Sequence, residues 1–123
     1  MESFGYPKSL LVVEKNIKDL APHSIEGGVI PDRRVDIVCF SPKGLHPLIV
    51  IECKADNFHS DVIYQIIGYN KFIQASFIAI ANPYMVLTGW YDSSKQQYQF
   101  IKTLPSYATL IEATYGKHLS KQS

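Results

Sequence analysis

Glu52, Cys53 and Lys54 close an apolar run at residues 48–51, and Asp36 stands on an earlier run of strand-forming residues. Strand side chains alternate faces, so Glu52 and Lys54 project from one side and Cys53 from the other. An acid and a base beside a buried strand cost free energy that a fold does not require. That makes the group a candidate site. The chemistry that suits two acids and a lysine is metal-assisted cleavage of a phosphodiester.

The elements that would position these groups are legible. Arg34–Phe40 is rich in β-branched and aromatic residues, as a strand should be. Residues 41–47 carry Pro42, Gly44 and Pro47, the punctuation of a tight reversal. Folding about Gly44 sets Asp36 directly across from Glu52 on one face, with Cβ atoms roughly 5 Å apart. Like charges so placed repel. A divalent cation resolves the conflict, and Mg²⁺ takes one or two carboxylates together with water and substrate phosphate. The competing reading is a surface pair neutralised by Arg34 or Lys54.

Residues 10–17 read as a first strand, followed by a loop over 18–33 that contains Pro22, Gly27, Gly28 and Pro31. Ser60 reads as an N-cap, with Asp61 in the first turn of a helix reaching residue 75. Val62, Ile66, Tyr69 and Ile73 form its apolar stripe, thickened by Ile63 and Ile67. Residues 77–81 have the composition of a fully buried strand. Strand, helix and buried strand in succession predict a right-handed parallel crossover. Further strands are expected at 86–91 and 98–101, turned at 92–95, with a short helix over 106–115. The expectation is one α/β domain spanning residues 1–123: a mixed central sheet with an antiparallel meander, one crossover helix and a short C-terminal helix.

Composition narrows the classes. A chain of 123 residues, 46% hydrophobic and 19% charged, suits one soluble domain with a single core. The net charge of +1 neither demands nor excludes nucleic acid, since a nuclease needs a local basic rim rather than a basic total. Lys8, Lys15, Arg33, Arg34 and Lys71 are the candidates for such a rim. No apolar run approaches the roughly 20 residues of a membrane span. Cys39 and Cys53 read as buried thiols in a reducing, cytoplasmic setting. Together with His23, His46, His59 and His118 they show no zinc spacing. Tyr84, Trp90 and Tyr91 could stack on bases, although aromatic residues around late strands are more often core or rim.

Asp36, then Glu52-x-Lys54 closing an apolar strand, then a helix, resembles the PD-(D/E)XK nuclease superfamily. More narrowly, the chain resembles the N-terminal nuclease domain of type I restriction enzyme R subunits. Gly5-Tyr6-Pro7-Lys8, residues 34–38, residues 47–55, Gln65-x-x-x-Tyr69, residues 98–101 and Leu104-Pro105 carry the likeness. It implies a restriction-endonuclease-like core and hydrolysis of DNA. Asp36, Glu52 and the main-chain carbonyl of Cys53 would bind Mg²⁺, for which Mn²⁺ is a substitute of matching ligand preference. Lys54 would orient the attacking water or stabilise charge on the phosphate. Gln65 and Tyr69 share one helix face and would contact substrate or brace Lys54. Tyr69 also belongs to the apolar stripe, so core packing is its alternative.

Members of the family usually carry a helix before the Gly-Tyr-Pro-Lys segment, often with an acid for the site. Only four residues precede it here, so that helix is expected to be absent. Glu14 is then the nearest further acid for the metal, against a solvated charge at a strand edge. The sheet face left bare would be covered by the C-terminal helix, another restriction-complex subunit or a second copy in a homodimer. No Gly-rich loop with Lys and Ser/Thr is present to bind ATP phosphates. A non-catalytic module that keeps the fold to bind DNA or a partner is the alternative to an enzyme.

Overall fold

The computed structural model describes residues 5–20, 32–42, 46–55 and 60–116. Six strands form one sheet whose spatial order follows the chain: β1 (Leu11–Asn16), β2 (Arg34–Phe40), β3 (Pro47–Cys53), β4 (Phe77–Ala81), β5 (Val86–Asp92) and β6 (Gln97–Ile101). Every neighbouring pair is antiparallel except β3 and β4, which run parallel. Helix α2 (Ser60–Ile73) makes that one crossover. The architecture is the α/β mixed sheet expected from the sequence.

Burial explains why β3 sits centrally. Leu48, Ile49 and Val50 are wholly buried and Ile51 nearly so, which is the continuous apolar pattern of a strand covered on both faces. Each such side chain contributes about 1.5–3 kcal/mol on leaving water. On one face Val38, Val50, Ile78 and Ile80 pack beneath Ile66 and Ile73 of α2 and beside Ile17. On the other, Cys39, Ile49, Ile51 and Ala79 meet Tyr6 and Leu110. Leu110 comes from α3 (Tyr107–Ile111), which Ser106 caps by accepting a hydrogen bond from the Thr109 amide. Tyr6 donates a hydrogen bond to the Pro105 carbonyl at 2.7 Å and meets Tyr107 edge-on. The C-terminal helix and the Tyr6 segment therefore cover the face opposite α2.

Several boundaries differ from expectation. The loop expected over 18–33 opens instead with a short helix, α1 (Ile17–Leu20), which takes Ile17 out of the first strand. Its first amide donates to the Arg33 carbonyl at 2.8 Å, and Ile17 is completely buried. Tertiary burial outweighs the local loop signals here. Residues 21–31 lie outside the described residues, as do 43–45 and with them Gly44. Helix α2 ends at Ile73 rather than 75 because Gln74 turns left-handed, with φ of 61°. Asn70 holds that end: its side chain accepts from the Ala75 amide at 2.8 Å and donates to the Ala75 carbonyl at 3.0 Å. Cys39 and Cys53 are free thiols, but Cys53 is exposed rather than buried, since it ends its strand. No helix among the described residues is long and apolar enough to cross a membrane.

Candidate active site at one pole of the sheet

The β2–β3 register runs Ile37↔Ile51, Val38↔Val50 and Cys39↔Ile49, and then slips to Phe40↔Pro47 through a bulge. Continued past Ile37↔Ile51, it sets Asp36 against Glu52, as folding about Gly44 predicts. Alternation from Val38 and Val50 places both acids on the α2 face. The ladder's last rung is built from side chains. Glu52 Oε1 accepts from the Asp36 amide at 3.3 Å, and Asp36 Oδ2 accepts from the Cys53 amide at 2.7 Å. The two acids are thus locked across the hairpin, each tied to the other strand's backbone.

Electrostatics at this pair are unfavourable. Burial, and next the charge of Asp36, push the Glu52 carboxyl above its ordinary range; the hydrogen bond from the Asp36 amide and the charge of Lys54 pull it back. The Cys53 thiol is raised by burial and by both acids. Lys54 follows Glu52 by two positions, and its amide donates to the Ala81 carbonyl at 2.7 Å, anchoring it to the end of β4.

Other expected site residues fare differently. Glu14 falls between the paired residues Val13↔Ile37 and Lys15↔Val35, hence opposite Asp36, but its φ of 53° interrupts the ladder. Among the described residues no three His, Cys, Asp or Glu side chains gather closely enough to hold a metal ion. Gln65 is exposed on α2. Tyr69 packs against the core beneath α2, in agreement with its place in the apolar stripe.

The scattered cations partly converge. Lys15 and Arg34 belong to the ends of β1 and β2 nearest the acids, beside Arg33, and the exposed Lys18 joins them. Asp32 tempers this rim: it accepts a hydrogen bond from Asn16, and that bond together with Lys18 and Arg34 holds its carboxyl below the usual range. Lys8, before the start of β1, and Lys71, in the last turn of α2, lie toward the opposite end. Sequence reasoning missed Lys18 because it read that segment as loop. It also missed the turn Asn82–Met85, whose closeness to Lys54 depends on the parallel pairing of β3 with β4.

The family model described as Type I restriction enzyme R protein N terminus matches residues 1–105. The chain belongs to that family. No curated protein and no solved structure matches it.

Proposed function

We propose that the chain is a Mg²⁺-dependent endonuclease domain of the PD-(D/E)XK kind, hydrolysing DNA phosphodiester bonds as part of a restriction complex. The observation that carries this reading is the locked Asp36–Glu52 pair, with Lys54 just past the end of β3 and a basic rim at the same pole. The donor set suits the ion: two carboxylates on one face, oxygen donors only, in mutual repulsion that a divalent cation would relieve. One oxygen of each carboxylate is engaged by backbone, which fixes the direction of the other. Asp36, Glu52 and the Cys53 carbonyl would hold the ion. When bound it supplies an activated water and offsets phosphate charge. The Lys54 ammonium orients the water and opposes charge developing on the phosphate oxygens. Gln65 positions substrate from the exposed side of α2, and Lys15, Lys18, Arg33 and Arg34 take phosphates of the flanking backbone.

A plasmid-nicking assay with Mg²⁺ tests this. Lys54→Ala should cut the rate by on the order of a hundredfold while sparing most DNA affinity, as loss of one transition-state donor does. Glu52→Ala should be comparably inactive. Nicking by Lys54→Ala at the wild-type rate refutes the assigned role. One observation favours the non-catalytic alternative: each acid also serves the hairpin by accepting a backbone amide. A module without activity would have reason to keep both, and an inactive wild type that still binds DNA would identify it.

A further inference from the structure

The β4–β5 connection, Asn82 to Met85, abuts the candidate site. Ala81 pairs with Cys53 and its carbonyl takes the Lys54 amide, so the turn begins one residue from the backbone that presents the lysine. The turn is closed from within. Asn82 Oδ1 accepts from the amides of both Tyr84 and Met85 at 2.8 Å, and the Asn82 amide donates to the Met85 carbonyl at 2.9 Å. Such an Asx arrangement fixes the backbone without help from the core. On it, Tyr84 is 85% exposed, the most exposed large apolar side chain among the described residues, and Met85 beside it is 40% exposed. Trp90, by contrast, is half-buried against the α3 side.

A rigid turn that holds an aromatic ring in solvent gains nothing for the fold. Its neighbours supply the reason for keeping it. Strands lie about 4.8 Å apart and rise about 3.3 Å per residue, which sets Tyr84 within roughly 10–15 Å of the acid pair. Nucleotides on one DNA strand advance about 3.4 Å each, so this spans a few steps along the substrate. The basic rim lies on the β1–β2 side of the acids and Tyr84 on the β4–β5 side. A DNA strand crossing the site would meet phosphate contacts before the scissile bond and an aromatic face after it, or the reverse.

Building on the nuclease reading, we propose that Tyr84 stacks on a nucleobase of the DNA a few nucleotides from the scissile phosphate, with Met85 as an apolar shoulder. It is a substrate-binding residue, and its contact favours unpaired or frayed bases, whose faces are accessible. Stacking of this kind is tolerant of sequence. It lends the site affinity without selecting a recognition sequence.

The test uses fluorescein-labelled single-stranded oligonucleotides, one carrying 2-aminopurine, bound to the whole chain with Ca²⁺ in place of Mg²⁺. Loss of one base stack costs on the order of tenfold in affinity. Tyr84→Ala should therefore bind about tenfold more weakly and abolish the 2-aminopurine quench, whereas Tyr84→Trp should retain both. The dependence of affinity on salt should not change, because no phosphate contact is removed. Equal affinity and equal quench in wild type and Tyr84→Ala overturn the proposal, as does a reduced salt slope, which would mean a phosphate contact instead. If the wild type binds with a Tyr84-dependent quench yet never nicks DNA in Mg²⁺, the nuclease reading fails while the stacking contact stands. If the wild type nicks DNA and Tyr84→Ala does so with unchanged KM, the nuclease reading stands and this one falls.

Discussion

Replacing Asp36 by Asn should make the metal-free protein more stable and the metal-bound protein less so. In the native hairpin Asp36 and Glu52 face each other, and Glu52 registers the conflict as a carboxyl held above its ordinary range. At the ~5 Å Cβ separation of directly opposed residues, two unit charges repel by about 0.8 kcal/mol in water and about 3 kcal/mol at an effective dielectric of 20. Glu52 is only partly buried, so about 1–1.5 kcal/mol is the working figure. The amide oxygen introduced by Asp36→Asn would still accept from the Cys53 amide, at a loss of about 0.5 kcal/mol for the missing charge. The net gain is roughly 0.5–1 kcal/mol, or about 2–4 °C in Tm for a chain of this size. Mg²⁺ at a hundred times its Kd stabilises a binding-competent fold by about 2.7 kcal/mol, and the variant forfeits most of this. Thermal melts at pH 8, in EDTA and then in Mg²⁺, should therefore reverse the order of the two proteins. An Asp36→Asn variant less stable in EDTA, or one that gains as much from Mg²⁺ as the wild type, would sink the argument.

Three further outcomes are expected. Asn70→Ala removes both hydrogen bonds to Ala75 and a third to the Tyr98 hydroxyl at 3.2 Å, and should cost about 3 kcal/mol in urea unfolding because the Ala75 groups are left buried and unpaired. Thr88→Val should instead stabilise by about 1 kcal/mol, since the Thr88 hydroxyl is buried without a partner among the described residues. Glu52 gives a pH signature in the metal-free protein. Its carboxyl is raised above the usual 4.5 on folding, so its contribution to stability is complete below that value and fades as pH climbs through the raised folded value. Equilibrium unfolding across this window should show the decline in wild type and lack it in Glu52→Gln; identical profiles would contradict the raised carboxyl.

What the sequence disclosed depended on the range of the forces involved. All six strands announce themselves through β-branched and aromatic runs, and the crossover follows from a buried strand on each side of an amphipathic helix. The acid pair was legible because a hairpin is local: its turn and strand lengths alone set Asp36 against Glu52. Helix α1 was not, since four residues give no helical period and its stability comes from Ile17 packed far from its sequence neighbours. Asn70 sits in the helix where an apolar residue would be expected, and only its contacts with Ala75 and Tyr98 show why it is polar. The partial gathering of Lys15, Lys18, Arg33 and Arg34 likewise requires the β1–β2 pairing. The exposure of Cys53 reflects where β3 ends.

The bulge between Cys39 and Phe40 makes the length of this hairpin as consequential as its lettering. From Phe40↔Pro47 outward, an unbroken ladder would pair Cys39 with Leu48 and Asp36 with Ile51, leaving Glu52 opposite Val35 on the other side of the sheet. The extra residue taken up on β3 shifts the parity and restores the two acids to one face. Loss of the extra β3 residue would only close the bulge. Loss of a single codon within 37–39, with the bulge kept, would leave the apolar strand, an intact Glu52-Cys53-Lys54 and every acid in place, yet set Asp36 against Ile51 and separate the pair. Relatives aligned by residue identity alone would score such a deletion as harmless. Counting residues on each strand between the turn and its acid, together with the bulge, is the better guide to which of them retain the site.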